Sequence, residues 1–578
     1  MKRMSNRPRW LLLLFVFALV AAACAGETGD STTTSAAVEE TTTSAAETPS
    51  TTAAPGVESA MTLTVDINPD AVWSDGTPIT AADFVCTWNA FLNTPGSITT
   101  AGYNEIVSVA AGESDKQVLI DFATVYAPYQ TLFNQILPAH VVTDPSCMDI
   151  SGDFLDAIPV SARPWRLESW SLDQSILVPN EAYWGDDKPV ATRLVQVPRV
   201  EDGGIASIGA GEVDFIFPQA FAGITDALAA DTIDFVPGYG TNYEGLYFQQ
   251  GTDRGGPFSD PVFREAFSKS IDRELILANI YDPIFPGAPL LQCGLWVPTV
   301  GPWCQNDQFT DSYDPDGAVA LLEGAGWALN AEGFWAKDGA AAPEIKWMIN
   351  TPNPRREATQ ALMIPVLTEA GFNVVADNGD AAAVFQQRLP AGDFDLAMYI
   401  STASPDPSVT SIMSCDQVPS AENNNQGQNS VFWCNEDASA LMAQSDTELD
   451  ETARADLIHQ IGQSLVDDHV MLPLFQFPNI AAWRTDRIEG DAPAADAANY
   501  RAFNNSSQNW TPIGDSTELV VGAEQWPECI NPVTECANSS WMVWTASFPV
   551  LPAIWDTTSN GGFTLTNLID GEPVVTVN

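Results

Sequence analysis

The sequence predicts an α/β fold, because helical segments alternate along the chain with short runs of β-forming residues. The helical segments are 261–280, 315–325, 355–371 and 452–468, and the β runs include EIKWMIN, FNVVAD and DLAMYI. This alternation is typical of sheets whose faces are covered by helices. With 578 residues, of which 45% are hydrophobic, the chain is long and apolar enough for a folded core and roughly two or three domains.

The first elements of the body are predicted to be a strand, a turn and a helix. Apolar residues alternate with polar ones at Met61, Leu63, Val65 and Ile67, which is the period of a half-buried strand. The sequence Ser74-Asp75-Gly76 then predicts a turn. Thr80 precedes AADFVCTWNAF and Asp83 follows three residues later, which indicates a helix N-cap with an acidic first turn.

The N-terminus has the pattern of a secretory signal. Basic residues at Lys2, Arg3, Arg7 and Arg9 precede WLLLLFVFALVAAA, an apolar run that is short for a membrane span. Cys24 directly follows, and this arrangement resembles the lipobox of bacterial lipoproteins, in which the cysteine is lipidated. Plain secretion with an unmodified Cys24 is the alternative. Residues 25–58 are rich in Ser, Thr, Ala and Glu, and we expect a disordered tether.

Export implies an oxidising compartment, so we expect the cysteines other than Cys24 to form disulfides. The chain has nine cysteines, which leaves eight. The sequence does not determine how they pair, but proximity favours Cys293–Cys304, Cys415–Cys434 and Cys529–Cys536, which leaves Cys86–Cys147. No CxxC motif occurs, which argues against a redox enzyme or a zinc ribbon.

The charge balance is strongly acidic, with 75 Asp and Glu against 23 Lys and Arg and a formal net charge of −52. Such a surface repels a phosphate backbone, so nucleic acid is not expected as a partner. The three histidines, His140, His459 and His469, stand singly, so a histidine-based metal site has little to build on. We therefore expect neither a metal nor another cofactor.

Seven short motifs follow one another along the chain. They are WSDGTPITAADF (73–84), LPAHVV (137–142), NEAYWGDDKP (180–189), AGEVDF (210–215), DPVFREAFSKSIDRELIL (260–277), DPDGAVALLEGAGW (314–327) and GDFDLAMYISTASPDPS (392–408). Together, and in this order, they resemble the family 5 extracellular solute-binding proteins, the peptide- and oligopeptide-binding subunits of bacterial ABC importers. The resemblance extends from about Met61 to Trp510.

The resemblance implies a two-lobed, periplasmic-binding-protein-like fold of type II, with mixed sheets flanked by helices. It implies lobe I with an extra subdomain at 59–242, lobe II at 243–474, and a return to lobe I at 475–578. The lobes are expected to close over a ligand like a hinged trap. We expect a monomer that delivers its ligand to ABC permease subunits and contacts the membrane only through its lipid anchor.

The stretch ELVVGAEQWPECINP (518–532) resembles the start of the family's first lobe, although it lies near the other end of this chain. Family members have a strand, a Pro-containing turn and a helix before the WSDG motif, and here this material lies at 516–578. The final run EPVVTVN is expected to pair with the strand at 61–67. This predicts a circular permutation, with 516–578 supplying the usual N-terminal segment. A truncated second copy of a tandem array is the alternative.

A solute-binding cleft needs aromatic walls and a few polar anchors rather than a catalytic group. Aromatic-rich stretches at 240–248, 293–304 and 538–544 are candidates for the walls. Within them Tyr247, Phe248 and Trp544 are assigned to the core. The candidate ligand contacts, which stand beside turn residues, are Tyr243, Trp296, Asn538 and Trp541.

The motif ISTASPDPS (400–408) matters most for the ligand's chemistry, and Ser401, Ser404 and Asp406 are its candidate polar contacts. In peptide-binding relatives an Asp of this motif pairs with the ligand's α-amino group, and the resemblance places Ala403 at that position. Asp406 matches a more structural Asp that caps or turns the chain. A buried ammonium without its carboxylate is costly, which weakens the expectation of a free-amine dipeptide.

The sequence thus predicts a solute-binding lipoprotein on the outer face of the cell membrane, which captures a small solute, above all a short peptide, for an ABC-type importer. No catalytic residue is expected. One alternative is a surface lipoprotein that presents a ligand without transport. A second is an extracellular hydrolase, since carboxylates are plentiful. The motifs GxSxG and HExxH are absent from the sequence, however, and a hydrolase leaves the seven motifs unexplained.

Overall fold

The expected alternation of strands and helices is present in the computed structural model, which describes residues 59–199, 203–310, 312–420, 427–496, 506–538, 543–558 and 561–578. The strands are β1 (Met61–Asp66), β2 (Ile106–Ala111), β3 (Gln117–Phe122), β4 (Trp165–Trp170), β5 (Ser175–Pro179), β6 (Arg193–Pro198), β7 (Phe215–Ile216), β8 (Ile233–Phe248), β9 (Trp327–Leu329), β10 (Trp335–Lys337), β11 (Glu344–Met348), β12 (Asn373–Ala376), β13 (Leu396–Thr402), β14 (Met471–Arg484), β15 (Glu518–Ala523), β16 (Trp555–Thr557), β17 (Phe563–Leu565) and β18 (Val574–Val577).

The α-helices are α1 (Ala81–Asn93), α2 (Gly203–Ala210), α3 (Ile224–Ala227), α4 (Pro261–Lys269), α5 (Arg273–Ile276), α6 (Pro315–Gly324), α7 (Pro354–Glu369), α8 (Thr410–Met413), α9 (Glu436–Ser445), α10 (Glu451–Asp467) and α11 (Phe548–Val550). The helical segment expected at 261–280 is divided in two. Ser270 ends α4, and the side chain of Asp272 accepts a hydrogen bond from the Leu275 N–H to begin α5. Within the described ranges, no helix combines the length and apolarity needed to cross a membrane.

The first predicted elements are confirmed in detail. In β1 the buried and half-buried residues alternate, as the sequence pattern requires. At the start of α1 the Thr80 side chain accepts from a backbone N–H of the first turn, and the Asp83 carboxylate accepts from the Thr80 N–H at 2.9 Å. This reciprocal capping box satisfies N–H groups that have no partner within the helix.

A four-stranded antiparallel sheet joins the two ends of the described chain. Its order is β18-β1-β3-β2, and Met61 lies opposite Val577 in the register of β1 and β18. The apolar side chains of β1 and β3 pack in one hydrophobic core with Trp73 and Phe84. The final strand therefore completes the sheet that the first strand begins.

A ten-stranded mixed sheet, in the order β12-β11-β13-β8-β14-β7-β15-β6-β5-β4, runs through the described part of the chain. Its two long strands, β8 and β14, pair antiparallel, and their ladder shifts register between Pro473 and Phe475 and again between Gln476 and Pro478. On one side of these shifts β8 pairs with β13, and on the other β14 pairs with β7. Such irregularities bend a sheet. We call this point the junction.

Two lobes meet at the junction. Lobe I contains β1–β7 and β15–β18, and its core combines early residues such as Trp165 with late ones such as Val521 and Ile554. Lobe II contains β9–β13 and α4–α10. One of its cores includes Phe267 and Trp347 and continues across the junction to Ile216 of β7, and a second core lies within lobe II. The boundaries expected at 242/243 and 474/475 fall inside β8 and β14. The lobes are therefore linked by continuous strands rather than by flexible loops.

Four disulfides join the cysteines, in the three pairs that proximity favoured and the one pair that remained. They are Cys86–Cys147, Cys293–Cys304, Cys415–Cys434 and Cys529–Cys536. Cys24 lies outside the described residues. Each disulfide closes a loop within one lobe, so the junction itself carries none among the described residues.

Candidate functional site

The parallel strands of both lobes direct their carboxyl ends at the junction. In lobe I, β7 and β15 run parallel and lead into residues 217–221 and Glu524. In lobe II, β11 and β13 run parallel to each other and antiparallel to β8, and they lead into residues 349–353 and 403–406. In open α/β sheets, ligands bind outside the carboxyl ends of the strands. This edge is therefore the candidate ligand-binding cleft.

A recess at this edge is built from both lobes. Lobe I contributes Gln219, Phe221 and Glu524 to its lining, and lobe II contributes Pro352, Asn353 and Arg355. Apolar walls with a few convergent polar groups are characteristic of small-molecule sites. Because each lobe supplies only part of the lining, the recess is complete only when the lobes are together.

Hydrogen bonds across the recess connect the two lobes. The Asn353 Nδ2 donates to Gln219 Oε1 at 2.8 Å, and the Arg355 Nη2 donates to the same oxygen at 3.3 Å. The Arg355 Nη1 also donates to the backbone carbonyl of Ala220 at 2.8 Å. Asn353 is the N-cap of α7, so the start of this helix is held against the end of β7.

A buried ion cluster supports Arg355 from behind. Glu244 is fully buried in β8, and it accepts hydrogen bonds from the guanidinium groups of Arg355 and Arg356 and from the Tyr281 hydroxyl. Burial alone would raise the pKa of Glu244, but the charges of the two arginines outweigh it and lower the pKa to about 2. One carboxylate thus faces two guanidinium groups, and the cluster holds Arg355 rigidly in place.

The two lobes also touch away from the recess. The backbone N–H of Ala127 in lobe I donates to the backbone carbonyl of Asp446 in lobe II at 2.7 Å. The side-chain amide of Gln428 in lobe II donates to the carbonyl of Ile98 in lobe I at 3.0 Å. Gln428 belongs to the loop closed by the Cys415–Cys434 disulfide. These hydrogen bonds join the lobes at points outside the recess.

Two of the residues expected to contact a ligand, Tyr243 and Ser401, lie opposite each other on neighbouring strands β8 and β13. The Tyr243 side chain is only 2% exposed, and burial raises its pKa to about 12. Ser401 is half-buried, and its hydroxyl is 2.7 Å from the hydroxyl of Tyr247, a residue assigned to the core from the sequence and found buried. The polar atoms of this group therefore have partners within the protein.

Trp296 and Asp406 make internal contacts near the end of β13. The Trp296 side chain is buried, and its Nε1 donates to the Pro407 carbonyl at 3.0 Å. Asp406 forms a buried bidentate pair with Arg454, at 2.7 and 2.9 Å, and accepts from the Ser408 N–H. These bonds suit the turn-forming role that the motif implies for Asp406. Ser404, by contrast, is exposed.

Ala403, which the sequence resemblance aligned with a ligand-pairing Asp, is a buried alanine in the structure. Ala403 is 7% exposed, and its N–H donates to the Thr241 carbonyl at 2.8 Å. The remaining sequence-derived candidates, Trp541 and the side chain of Asn538, lie outside the described residues.

The recess residues were not among the candidates from the sequence. Gln219, Asn353, Arg355 and Glu524 belong to no aromatic-rich stretch. Asn353 and Arg355 are two positions apart, but Gln219 and Glu524 lie far from them and from each other in the sequence. One local signal was available, because TPNPRR (351–356) places prolines and an Asn N-cap at a helix start that follows a strand. That signal predicts the turn, but not the partner residues from the other lobe.

Comparisons with known proteins agree with this architecture. Residues 56–420 match the family described as "Bacterial extracellular solute-binding proteins, family 5 Middle". The oligopeptide-binding protein OppA of Mycobacterium bovis is 25% identical over 471 residues, which cover 78% of this chain and 73% of the relative. The solved structure of the oligopeptide-binding protein AppA from Bacillus subtilis, in complex with a nonapeptide, aligns with a TM-score of 0.67 at 21% identity, covering 80% of this chain and 90% of that one.

Another relative matches a shorter part of this chain at a higher sequence identity. The probable monoacyl phosphatidylinositol tetramannoside-binding protein LpqW of Mycobacterium tuberculosis is 38% identical over 130 residues. These residues are 22% of this chain, and they span only a fifth (20%) of that relative's length. The family match, by contrast, covers well over half of this chain. All seven motifs, the last of which ends at Ser408, lie within it. The chain belongs to the family 5 bacterial extracellular solute-binding proteins.

Proposed function

We propose that this protein captures a short peptide between its two lobes and delivers it to an ABC-type importer. The observation that carries the proposal is the recess at the carboxyl ends of the strands, to which lobe I contributes Gln219 and Glu524 and lobe II contributes Asn353 and Arg355. A ligand that contacts both lobes favours the closed arrangement over the open one. The oligopeptide-binding relatives, one of them solved with a nonapeptide, support a peptide as the solute.

The proposed role is binding without catalysis. Asp406, a carboxylate near the end of β13, is fully engaged with Arg454, and Glu244 is engaged with two arginines. Such ion pairs stabilise structure rather than supply a free acid or base. The relatives are named as binding proteins, which agrees with this role.

The proposed anchor of the ligand is not a carboxylate at the end of β13. Ala403 occupies that position, and Asp406 is neutralised by Arg454. A ligand ammonium placed there would lack an unpaired carboxylate, and this is unfavourable in a buried site. Solutes without a free amine at this position therefore suit the cleft better than free-amine dipeptides.

The proposed location is the outer face of the cell membrane, where a lipid on Cys24 and the tether at 25–58 hold a monomeric body within reach of permease subunits. The signal sequence and the extracellular family support this proposal. A lipid anchor confines the protein to the surface on which the importer acts.

The proposed chain order is a circular permutation, in which 516–578 completes lobe I and 475–578 as a whole returns to it. Three contacts support the proposal. β15 lies between β7 and β6 in the large sheet, β18 pairs with β1, and Arg163 forms a bidentate ion pair with Asp556. Permutation is tolerated when the former termini lie close together and the new ones are exposed.

Native mass spectrometry of the mature protein, purified without refolding from a peptide-containing medium, tests the proposed function. Native spectra retain tightly held ligands that denaturing spectra lose. A ladder of additional masses that sequences as short peptides is the expected result. A single non-peptide mass would remove the peptide from the proposal and leave a solute-binding role, and no bound mass with any offered solute would contradict both.

A further inference from the structure

The orientation of the Gln219 side-chain amide is determined by its neighbours. The backbone N–H of Arg356 donates to Asn353 Oδ1 at 3.1 Å, so the other end of the Asn353 amide, Nδ2, must face Gln219. A guanidinium can only donate, and Arg355 Nη2 also points at the same Gln219 atom. That atom is therefore the oxygen, and the Gln219 Nε2 group must be directed away from both residues.

Among the residues that the structure describes, the Gln219 Nε2 group has no hydrogen-bond acceptor. Both hydrogen bonds of the Gln219 side chain involve Oε1, and Nε2 donates to no residue in the described part of the chain. Gln219 is half-buried and lines the recess, so the two N–H bonds of Nε2 are available there at a fixed orientation. Oriented polar donors of this kind fix the position of a ligand in an otherwise apolar site.

The charges around the recess favour an oxygen acceptor. Arg355, which is 2% exposed, and Arg356 share the single carboxylate of Glu244, and this arrangement attracts an oxygen atom with partial negative charge. The carbonyl of an amide carries such an oxygen without a formal charge, which suits a recess whose wall also includes Phe221 and Pro352.

We propose that Gln219 is a ligand-binding residue, whose Nε2 donates a hydrogen bond to a neutral carbonyl oxygen of the bound solute. The inference rests on the proposed solute-binding function and adds to it the chemical group that the recess recognises. Apolar residues, including Ile205, Phe221 and Pro352, form most of the remaining wall, so we expect apolar atoms of the solute on either side of the carbonyl. A peptide group has this combination of a carbonyl between less polar neighbours.

The variant Gln219→Glu tests the proposal, because it changes little except the outward donor. One carboxylate oxygen can still accept from Asn353 and Arg355, while the other replaces the Nε2 donor with a charged acceptor. The control is Gln460→Glu on the exposed face of α10, which adds the same charge far from the recess. A melting curve for each variant establishes that it is folded. Gln219→Met, which removes both the donor and the Oε1 acceptor without adding charge, is measured alongside.

The probe is a tryptic digest of casein, and the readout is the fraction of protein that carries peptide in native mass spectra. The expected result is a loss of at least about tenfold in apparent affinity for Gln219→Glu, a smaller loss for Gln219→Met, and no change for Gln460→Glu. Unchanged retention by Gln219→Glu would overturn the inference and leave the proposed function intact. A wild-type protein that retains nothing would instead contradict the proposed function.

A second arm distinguishes a neutral carbonyl from a terminal carboxylate. The same digest is offered after its carboxyl groups have been converted to methyl esters. Equal retention of both digests by the wild-type protein is the expected result. Weaker retention of the esterified digest by the wild type but not by Gln219→Glu would show that the residue binds a carboxylate, and would overturn the assignment of a neutral group.

Discussion

The backbone N–H of Ala127 in lobe I donates a hydrogen bond to the backbone carbonyl of Asp446 in lobe II, at 2.7 Å. The carboxylate of the same Asp446 is buried next to this contact, where its Oδ2 accepts from the Thr410 hydroxyl at 2.6 Å. Arg454 is 4.0 Å from Oδ1 but makes its short bidentate pair with Asp406. A carboxylate with incomplete compensation thus lies at the interface between the lobes.

This arrangement predicts a pH-dependent stability that is specific to Asp446. Burial is the main cause that raises the pKa of Asp446, and the negative charge of Asp406 adds to it. The pKa is raised to about 6. The folded protein therefore binds a proton here more tightly than the unfolded chain, so this contribution to the free energy of unfolding is fully present below about pH 4 and decreases as the pH rises through 6. The full contribution is at most roughly 3 kcal/mol.

Urea denaturation of the wild type and of Asp446→Asn at pH 4.5 and 7.5 measures the effect. We expect the wild type to lose more stability than the variant as the pH rises, and we expect Asp437→Asn, at an exposed position on α9, to follow the wild type. Identical pH dependence in wild type and Asp446→Asn would show that this carboxyl is already ionised at low pH.

Replacing Glu244 by Gln should destabilise the protein strongly. Arg355 and Arg356 are at most 2% exposed, so their guanidinium groups stay buried in the variant. They would then lack the carboxylate that neutralises them. Breaking a buried ion pair in this way costs about 3–5 kcal/mol. Guanidinium chloride unfolding of the variant measures the loss. Glu265→Gln is the control, because Glu265 is partly exposed and its partners are distant, with Lys269 Nζ at 3.8 Å and His469 Nε2 at 4.0 Å. A loss below about 1 kcal/mol is expected there.

The disulfides should differ in what they contribute to stability. Cys86–Cys147 closes a sequence separation of 61 residues and Cys529–Cys536 one of 7. In the chain-entropy model the longer loop stabilises by about 4 kcal/mol and the shorter one by about 2 kcal/mol. Double Cys→Ser variants of each pair, compared by thermal unfolding, test the order. A larger loss from the short loop would show that native packing, rather than loop entropy, dominates.

Removal of residues 516–578 should abolish the folded state. β15 pairs with β6 along its whole length and with β7 on its other side, so its loss leaves backbone groups of two strands unpaired in the middle of a sheet. β1 would also lose β18. Size-exclusion chromatography and circular dichroism of the shortened chain are expected to show aggregated or unfolded material. A folded monomer would favour a separate, dispensable second copy over the proposed permutation.

Much of the local structure could be predicted from short stretches of sequence. The alternation of Met61, Leu63 and Val65 identified β1, and Thr80 with Asp83 identified the start of α1, because both signals depend on residues within a few positions of each other. The disulfide pairs followed from proximity for the same reason. The family motifs extended this to the two-lobed architecture.

The division of the segment 261–280 could not be predicted from helical periodicity alone. The apolar pattern continues across Ser270 and Asp272, but Asp272 competes with the helix by accepting a backbone hydrogen bond from Leu275 and so begins a new one. An Asp that caps a new helix, as Asp272 does, looks the same in sequence as an Asp inside a continuing helix. Only the backbone conformation distinguishes the two.

By itself, the sequence determined the fold class, the family and the elements whose signals are local, because periodicity and capping act over a few residues. Only the tertiary structure decided the candidate site. Gln219, Asn353, Arg355 and Glu524 meet because strands from two lobes end at one junction. The direction of the Gln219 amide, in turn, follows from a chain of hydrogen bonds that begins at the Arg356 N–H. Strand order and side-chain hydrogen bonding are set by contacts between residues distant in sequence, and a linear pattern does not contain them.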